Sequence, residues 1–363
     1  MPAGAPAGRR RGAGGVVRDL QPALARGVAV RPARAVAHTN IALIKYWGKR
    51  PSLTPDMNLP AVGSLSLTLD RLRSETIIRP AEQDSFVLAS ASGGAADDKA
   101  AAKVFKHLDR VWQSRHAGPR PACAVESTNF LPTAAGLASS ASGFAALTLA
   151  AAAAFGLDLA DRTGLSTLAR RGSGSAARSL WGGWVRQERG ERADGHDCFA
   201  RPLHPQDHWD LRLLIVHTAR GKKPVGSTDG MQRSADTSPY YPAWVGTSAS
   251  DLAAAERALA ARDLAALGAA MEHSTLKMHA CMLATVPPLL YWNGTTLTVL
   301  HDLWQARREG LEAYITSDAG PHVKVLCRPD AVAPLCERLA GLPGVLAVEA
   351  VAPGPDARAE VLS

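Results

Sequence analysis

The chain has 363 residues, room for two units of about 150 residues each. With 46% hydrophobic and 20% charged residues it can build a sizeable core, which excludes a chain disordered throughout. The net charge of +8 invites a nucleic-acid reading, but residues 1–34 hold seven arginines and one acid, so that segment carries +6 and the body is nearly neutral.

Residues 1–32 read as a disordered basic tail, since Gly, Ala, Pro and Arg bury little apolar surface. The Arg9–Arg11 run is followed by Gly-Ala-Gly-Gly rather than an apolar stretch, which reads against a signal peptide. Residues 33–38 read as a strand entering a polar turn. The segment His38-Thr39-Asn40-Ile41-Ala42-Leu43-Ile44-Lys45-Tyr46-Trp47-Gly48-Lys49-Arg50 follows. Its two lysines, Lys45 and Lys49, sit in mostly apolar surroundings, and lysines are seldom buried without a partner, so a nearby anion is implied. Ser64 to Leu69 alternates with period two, a half-buried strand. Residues 97–114 have a helical apolar face, with Lys99 at the helix start, and residues 122–129 read as a strand.

A small-residue turn then opens onto an Ala-rich helix: Pro132-Thr133-Ala134-Ala135-Gly136-Leu137-Ala138-Ser139-Ser140-Ala141-Ser142-Gly143. Gly136 permits a tight turn, the helix N-terminus offers unpaired N–H groups, and Ser139 and Ser140 add hydroxyls, a combination suited to phosphate. The apolar run 144–157 is 14 residues long, short of the roughly 20 a membrane span needs. After a helix at 165–171 comes Gly172-Ser173-Gly174-Ser175-Ala176-Ala177-Arg178. Successive N–H groups in such a turn form an anion nest, and an arginine fork follows.

Composition turns polar at 190–210, and a boundary is placed there. The second half is expected to hold a strand at 211–216, helices around 248–262, 263–283 and 296–309, strands at 311–316 and 322–327, a helix near 330–340 and a strand at 345–351. On local grounds Asp318, in Ser317-Asp318-Ala319-Gly320-Pro321, is a turn residue. His273 and His279 read as helix-surface or core histidines. Five cysteines without C-x-x-C spacing indicate neither a disulfide framework nor a zinc cluster, and a reducing cytoplasm fits. Strands and helices alternate in both halves, so the class is α+β or mixed α/β.

The string P-x-x-x-G-L-x-S-S resembles the phosphate loop of the GHMP small-molecule kinase superfamily, although the kinases usually carry Gly where this chain has Ala138. N-I-A-x-x-K-Y-W-G-K-R, the Ser-Gly-Ser segment with Arg178, and D-A-G-P around Asp318 are similar to the diphosphomevalonate decarboxylase family. The resemblance spans roughly residues 33–350. It implies a two-domain GHMP-kinase-like fold, with a ribosomal-protein-like left-handed βαβ domain at 33–205, a ferredoxin-like domain at 206–363 and an active site in the cleft between them. It implies ATP and Mg²⁺ as cofactors, (R)-5-diphosphomevalonate as substrate, no protein metal ligands, and a cytoplasmic homodimer that binds neither nucleic acid nor membrane. By the same resemblance Asp318, Lys45 and Asn40 are catalytic, Asn40 positioning the substrate carboxylate or Lys45. Gly136, Leu137, Ala138, Ser139 and Ser140 hold ATP phosphates. Tyr46, Trp47, Gly48, Lys49, Ser173, Gly174, Ser175, Ala176, Ala177 and Arg178 hold the substrate, with Thr228 and Lys99 as weaker candidates. A phosphomevalonate decarboxylase or a mevalonate 3-kinase is the rival branch.

Overall fold

A computed structural model describes residues 29–90, 98–130, 139–221 and 224–363. Its first sheet is built from β1 (Ala33–Ile44), β2 (Ser64–Pro80), β3 (Ser85–Ser90), β4 (Cys123–Phe130), β5 (Trp184–Gln187), β6 (Ala200–His204) and β11 (Arg358–Val361). The order is β11-β1-β2-β4-β3, with β5 pairing β2 and β6. The pairs are antiparallel except β3 with β4, which α1 (Asp98–Gln113) connects as a crossover. The second sheet has the order β10-β7-β9-β8, from β7 (Arg212–His217), β8 (Ala313–Ser317), β9 (Val323–Cys327) and β10 (Ala347–Val351).

The first sheet is covered by α1, α2 (Ser139–Phe155) and α3 (Arg162–Gly172). From Ala150 to Phe155, α2 is buried on every side. Alanine combines the best helix propensity with the smallest side chain, so this helix can lie close against sheet and neighbouring helices at once. On the second sheet, α7 (Gly294–Arg308) and α8 (Val332–Ala340) bury Val299, Leu303, Leu335 and Leu339. A separate cluster joins the two halves: Ile41, Leu43, Leu65 and Leu67 of the first sheet pack with Leu213 and Ile215 of β7, Leu326 of β9, and residues of α5 (Tyr241–Ala261) and α6 (Leu264–Leu283).

Three sequence expectations change. The tail does not extend to residue 32: Val30 is buried in the first core and the Arg31 guanidinium donates to Ala153 O at 3.0 Å. The segment 33–38 does not enter a polar turn, because β1 runs on to Ile44 with a register shift between His38 and Asn40. The Thr39 hydroxyl and Asn40 amide buried there are hydrogen-bonded, which offsets the cost of burying them. Chain order also does not separate the halves cleanly. The expected cut at 205 lies between β6 and β7, but β11 returns to pair with β1. Strands β3, β5, β6 and β11 and helix α4 (Ser227–Thr237) had no expectation at all.

Candidate active site

The end of β1 delivers the first groups. Thr39 donates to Ser142 Oγ at 3.3 Å, and Ser142 meets Ser74 Oγ at 2.8 Å, so a chain of buried hydroxyls ties the start of α2 to β1 and β2. Lys45 follows, 1% exposed. Its ammonium donates to Ala42 O at 2.8 Å and to Asp318 Oδ1 at 2.8 Å. Burial lowers its pKa to about 8, although Asp318 pulls the other way. Lys49 lies beyond, donating to Asn58 Oδ1 at 2.7 Å, and Asn58 donates in turn to the carbonyls of Arg170 and Arg171 at the end of α3. Gly48 is required between them: its φ is +95° and a Cβ there would collide with the Tyr241 ring.

The turn after α3 brings the second set. Ser173 Oγ lies 3.2 Å from Ser175 Oγ and 3.3 Å from Ser140 Oγ, so the nest meets the first turn of α2. The 3₁₀ turn Ala176–Leu180 buries Arg178, whose Nε donates to Asn40 Oδ1 at 3.2 Å and whose Nη1 donates to Ser64 Oγ at 2.7 Å. Burial lowers the Arg178 pKa to about 10. Among the described residues no salt bridge joins Arg178 to a carboxylate, so this buried guanidinium has only neutral partners. Tyr46 is packed beside Arg178, 5.9 Å from ring centroid to guanidinium, and burial raises its pKa to about 12.

The turn between β8 and β9 supplies the third. Asp318 accepts from Lys45 on Oδ1 and from Lys324 on Oδ2, at 2.8 and 3.1 Å. Both ammoniums are buried, 1% and 4% exposed, while the carboxylate is 40% exposed, so its open side faces solvent. Burial opposes its ionisation, yet the two ammoniums outweigh burial and hold it well below the usual carboxylate range. His279 on α6, 3.3 Å from Ser317 O and stacked on Trp292, steadies the strand end just before Asp318. Burial lowers its pKa to about 3, so it is a neutral core histidine, whereas His273 lies at the surface beside Asp251.

Lys45, Asp318, Asn40, Tyr46, Ser173, Ser175 and Arg178 are thus brought together. Gly136, Leu137 and Ala138 lie outside the described residues, as does the side chain of Ser139. Other expectations are corrected. Trp47 turns into a buried cluster with Met231, Trp244 and Met278, its Nε1 donating to Ser234 and its carbonyl accepting from Trp244, so its indole is not a ligand contact. Ala176 and Ala177 are fully buried. The Asn40 amide is spent on Ser175 O, Ser179 and Arg178, so it positions Arg178 and not Lys45. Lys99 and Thr228 are exposed, and among the described residues neither bonds to Lys45, Arg178 or Asp318. Lys324 was missed; its signal was a lone cation inside the apolar run Val323 to Cys327, all of it buried.

Fold and site together define a two-sheet α+β protein built to hold a polyanion against a carboxylate–ammonium pair. The model of the diphosphomevalonate decarboxylase-like N-terminal domain matches residues 37–200, and that of the mevalonate 5-diphosphate decarboxylase C-terminal domain matches 213–345. The chain is 36% identical to the diphosphomevalonate decarboxylase of Homo sapiens over 327 residues, 84% of this chain and 79% of that one. It is 37% identical to the Ganoderma lucidum enzyme over 318 residues, 82% and 78% of the two chains. The mevalonate diphosphate decarboxylase of Enterococcus faecalis superposes with a TM-score of 0.82 at 37% identity, covering 92% of this chain and 100% of its own. That of Staphylococcus aureus gives 0.83 at 34%, covering 91% and 98%. A further structure, at 0.83 and 38% over 92% of this chain and 100% of its own, is a complex with MVAPP, AMPPCP and magnesium. The chain belongs to the diphosphomevalonate decarboxylase family.

Proposed function

We propose that the chain catalyses ATP-dependent decarboxylation of (R)-5-diphosphomevalonate to isopentenyl diphosphate, ADP, phosphate and CO₂. One observation carries this reading: a carboxylate, Asp318, opens toward solvent while Lys45 holds its other side, and a buried Arg178 nearby has no acidic partner among the described salt bridges. Such a site needs an anion, and the relatives' ligands are anions of this kind.

The substrate offers no carbonyl sink for the electrons released with CO₂, and hydroxide is a poor leaving group. The tertiary hydroxyl oxygen therefore takes the γ-phosphoryl group of ATP and gives up its proton. The C–O bond then breaks with its electron pair going to phosphate, and the electrons of the C–carboxylate bond close the alkene as CO₂ leaves. Asp318 accepts the hydroxyl's hydrogen bond. Its low pKa makes it a weak base, so it takes the proton late, when bonding to phosphorus has made that oxygen acidic. Lys45 stabilises the charge that develops beside it. Lys49, Ser173, Ser175 and Arg178 anchor the diphosphate.

The first turn of α2 has no acidic residue and sets Ser140 against Ser173, a donor set that fits a polyphosphate. Mg²⁺, when bound, would supply charge neutralisation to the phosphates, and Ser140 is the hydroxyl of this turn that would help to hold it. A cytoplasmic homodimer is part of the same proposal. Among the described residues no helix is long and apolar enough to cross a membrane, and all five cysteines are free. The test is ADP and CO₂ release with ATP, Mg²⁺ and (R)-5-diphosphomevalonate, run beside 5-phosphomevalonate and mevalonate. Equal ADP and CO₂ with the diphosphate preferred is expected. ADP without CO₂, or preference for a less phosphorylated substrate, would move the chain to the rival branch.

A further inference from the structure

We propose that Lys324 is a positioning residue of the reaction: it clamps Asp318 from the side opposite Lys45, fixing the carboxylate with its open edge toward the substrate hydroxyl, and does not serve to hold the fold together. This rests on the decarboxylation reading above. Lys324 comes from β9 and reaches Asp318 Oδ2 at 3.1 Å, while Lys45 comes from the far sheet and reaches Oδ1 at 2.8 Å. Each oxygen keeps a lone pair after these bonds, and the side chain is 40% exposed. With one ammonium gone, the carboxylate can swing about its own axis and present both oxygens to Lys45, and the acceptor for the hydroxyl loses its place.

Charge says the same. Lys45, Lys324 and Arg178 are all buried, Asp318 is the one carboxylate that the described salt bridges set against the two lysines, and Arg178 has none. A buried pair needs one cation for one anion. A second cation on the same carboxylate is a cost to the empty protein, and is kept where a bound anion will use it. The other groups around Lys324 do not balance it. His322 accepts from Thr218 N–H on Nδ1 at 3.2 Å and His217 faces the same ammonium; burial lowers both pKa values, so neither offers a charge. His279, packed on the Lys45 side, is neutral too. Glu349 lies 3.9 Å from His217, and no described salt bridge joins it to Lys324.

The test compares Lys324→Met and Lys324→Arg with the wild-type enzyme, in turnover, in pH profile and in melting of the ligand-free protein. Lys324→Met is expected to lose about 100-fold in kcat with a far smaller change in KM, the size that misplacement of a reacting group produces. Its alkaline limb of kcat/KM should move to higher pH, since Lys45 loses a repelling neighbour. Its Tm should be unchanged or higher, and Lys324→Arg should recover part of kcat. A fall in Tm with an unmoved alkaline limb would overturn the proposal, because that is how a structural ion pair behaves. So would wild-type kcat in Lys324→Met. If wild-type enzyme released ADP but no CO₂, the decarboxylation reading would fail by itself, while the melting and the alkaline limb of ADP release would still decide whether Lys324 positions Asp318.

Discussion

Burial disfavours the charge on both Asp318 and Lys45, and what each can do follows from who surrounds it. Two ammoniums keep Asp318 ionised throughout the physiological range, so of the pair it is Lys45 that titrates near neutral pH. Its pKa, lowered to about 8 by burial, means that it is charged below that pH and loses its proton as pH rises through it. The expected kcat/KM is therefore flat near pH 7 and declines above about 8; a profile flat to about pH 10, the ordinary lysine range, would rule out a required Lys45 ammonium. Asp318→Asn keeps the shape but replaces the charged acceptor by a neutral amide, and should cost about 10²-fold or more in kcat with ligand affinities little changed. Retention of more than a tenth of kcat would exclude a base in this position. At this scale the sequence was half readable. Lys45 and Lys49 announced an anion because cations in apolar surroundings need one. Asp318 in its Ala-Gly-Pro turn looked local, and only family resemblance lifted it, since its two partners lie 273 and 6 residues away along the chain. Lys324 was visible as a misplaced charge, but no local rule says which carboxylate such a charge will meet.

Among the elements, α2 and α6 differ in how they meet their sheets. The alanines of α2 let it lie close by being small, and both the helix and its start were legible, because composition and the Ser-rich opening are local signals. Helix α6 uses one glycine, Gly268, against the Tyr314 ring of β8, which is itself buried with the Arg307 guanidinium 4.5 Å over its face. A glycine inside a helix normally invites replacement, since alanine gains up to about 1 kcal/mol of propensity. Here the new methyl would land on the ring, and overpacking costs about 1–3 kcal/mol. Gly268→Ala should therefore destabilise the protein, and urea unfolding should show a lower midpoint with an unchanged slope. A raised midpoint would mean that the ring can move aside. The strand β1 went partly unread for the opposite reason. Its Thr39 and Asn40 look like turn residues by type, and only the hydroxyl chain through Ser142 and the contacts to Arg178 explain why they sit inside a sheet.

For the whole molecule, the question is whether two sheets mean two folding units. Sequence composition suggested a cut near residue 205, and nothing local could reveal what crosses it. The apolar cluster from Ile41 and Leu67 to Leu213, Leu267 and Leu326 is shared by both sheets, so neither half can be exposed without opening the other's core. The C-terminal segment adds a second link. Gly354 N donates to Thr68 O, Gly183 N donates to Gly354 O, Gly182 N donates to the Asp356 carboxylate, and β11 then pairs with β1. Heat should accordingly unfold the chain in one transition with matching calorimetric and van't Hoff enthalpies. Removing residues 354–363 deletes several of these bonds, each worth about 1 kcal/mol net, so on the order of 3–5 kcal/mol should be lost. Because the shared cluster stays, the transition should move down as one. Two separated transitions in the intact chain would show that the cluster does not couple the halves. A split seen only after truncation would instead assign the coupling to the returning strand.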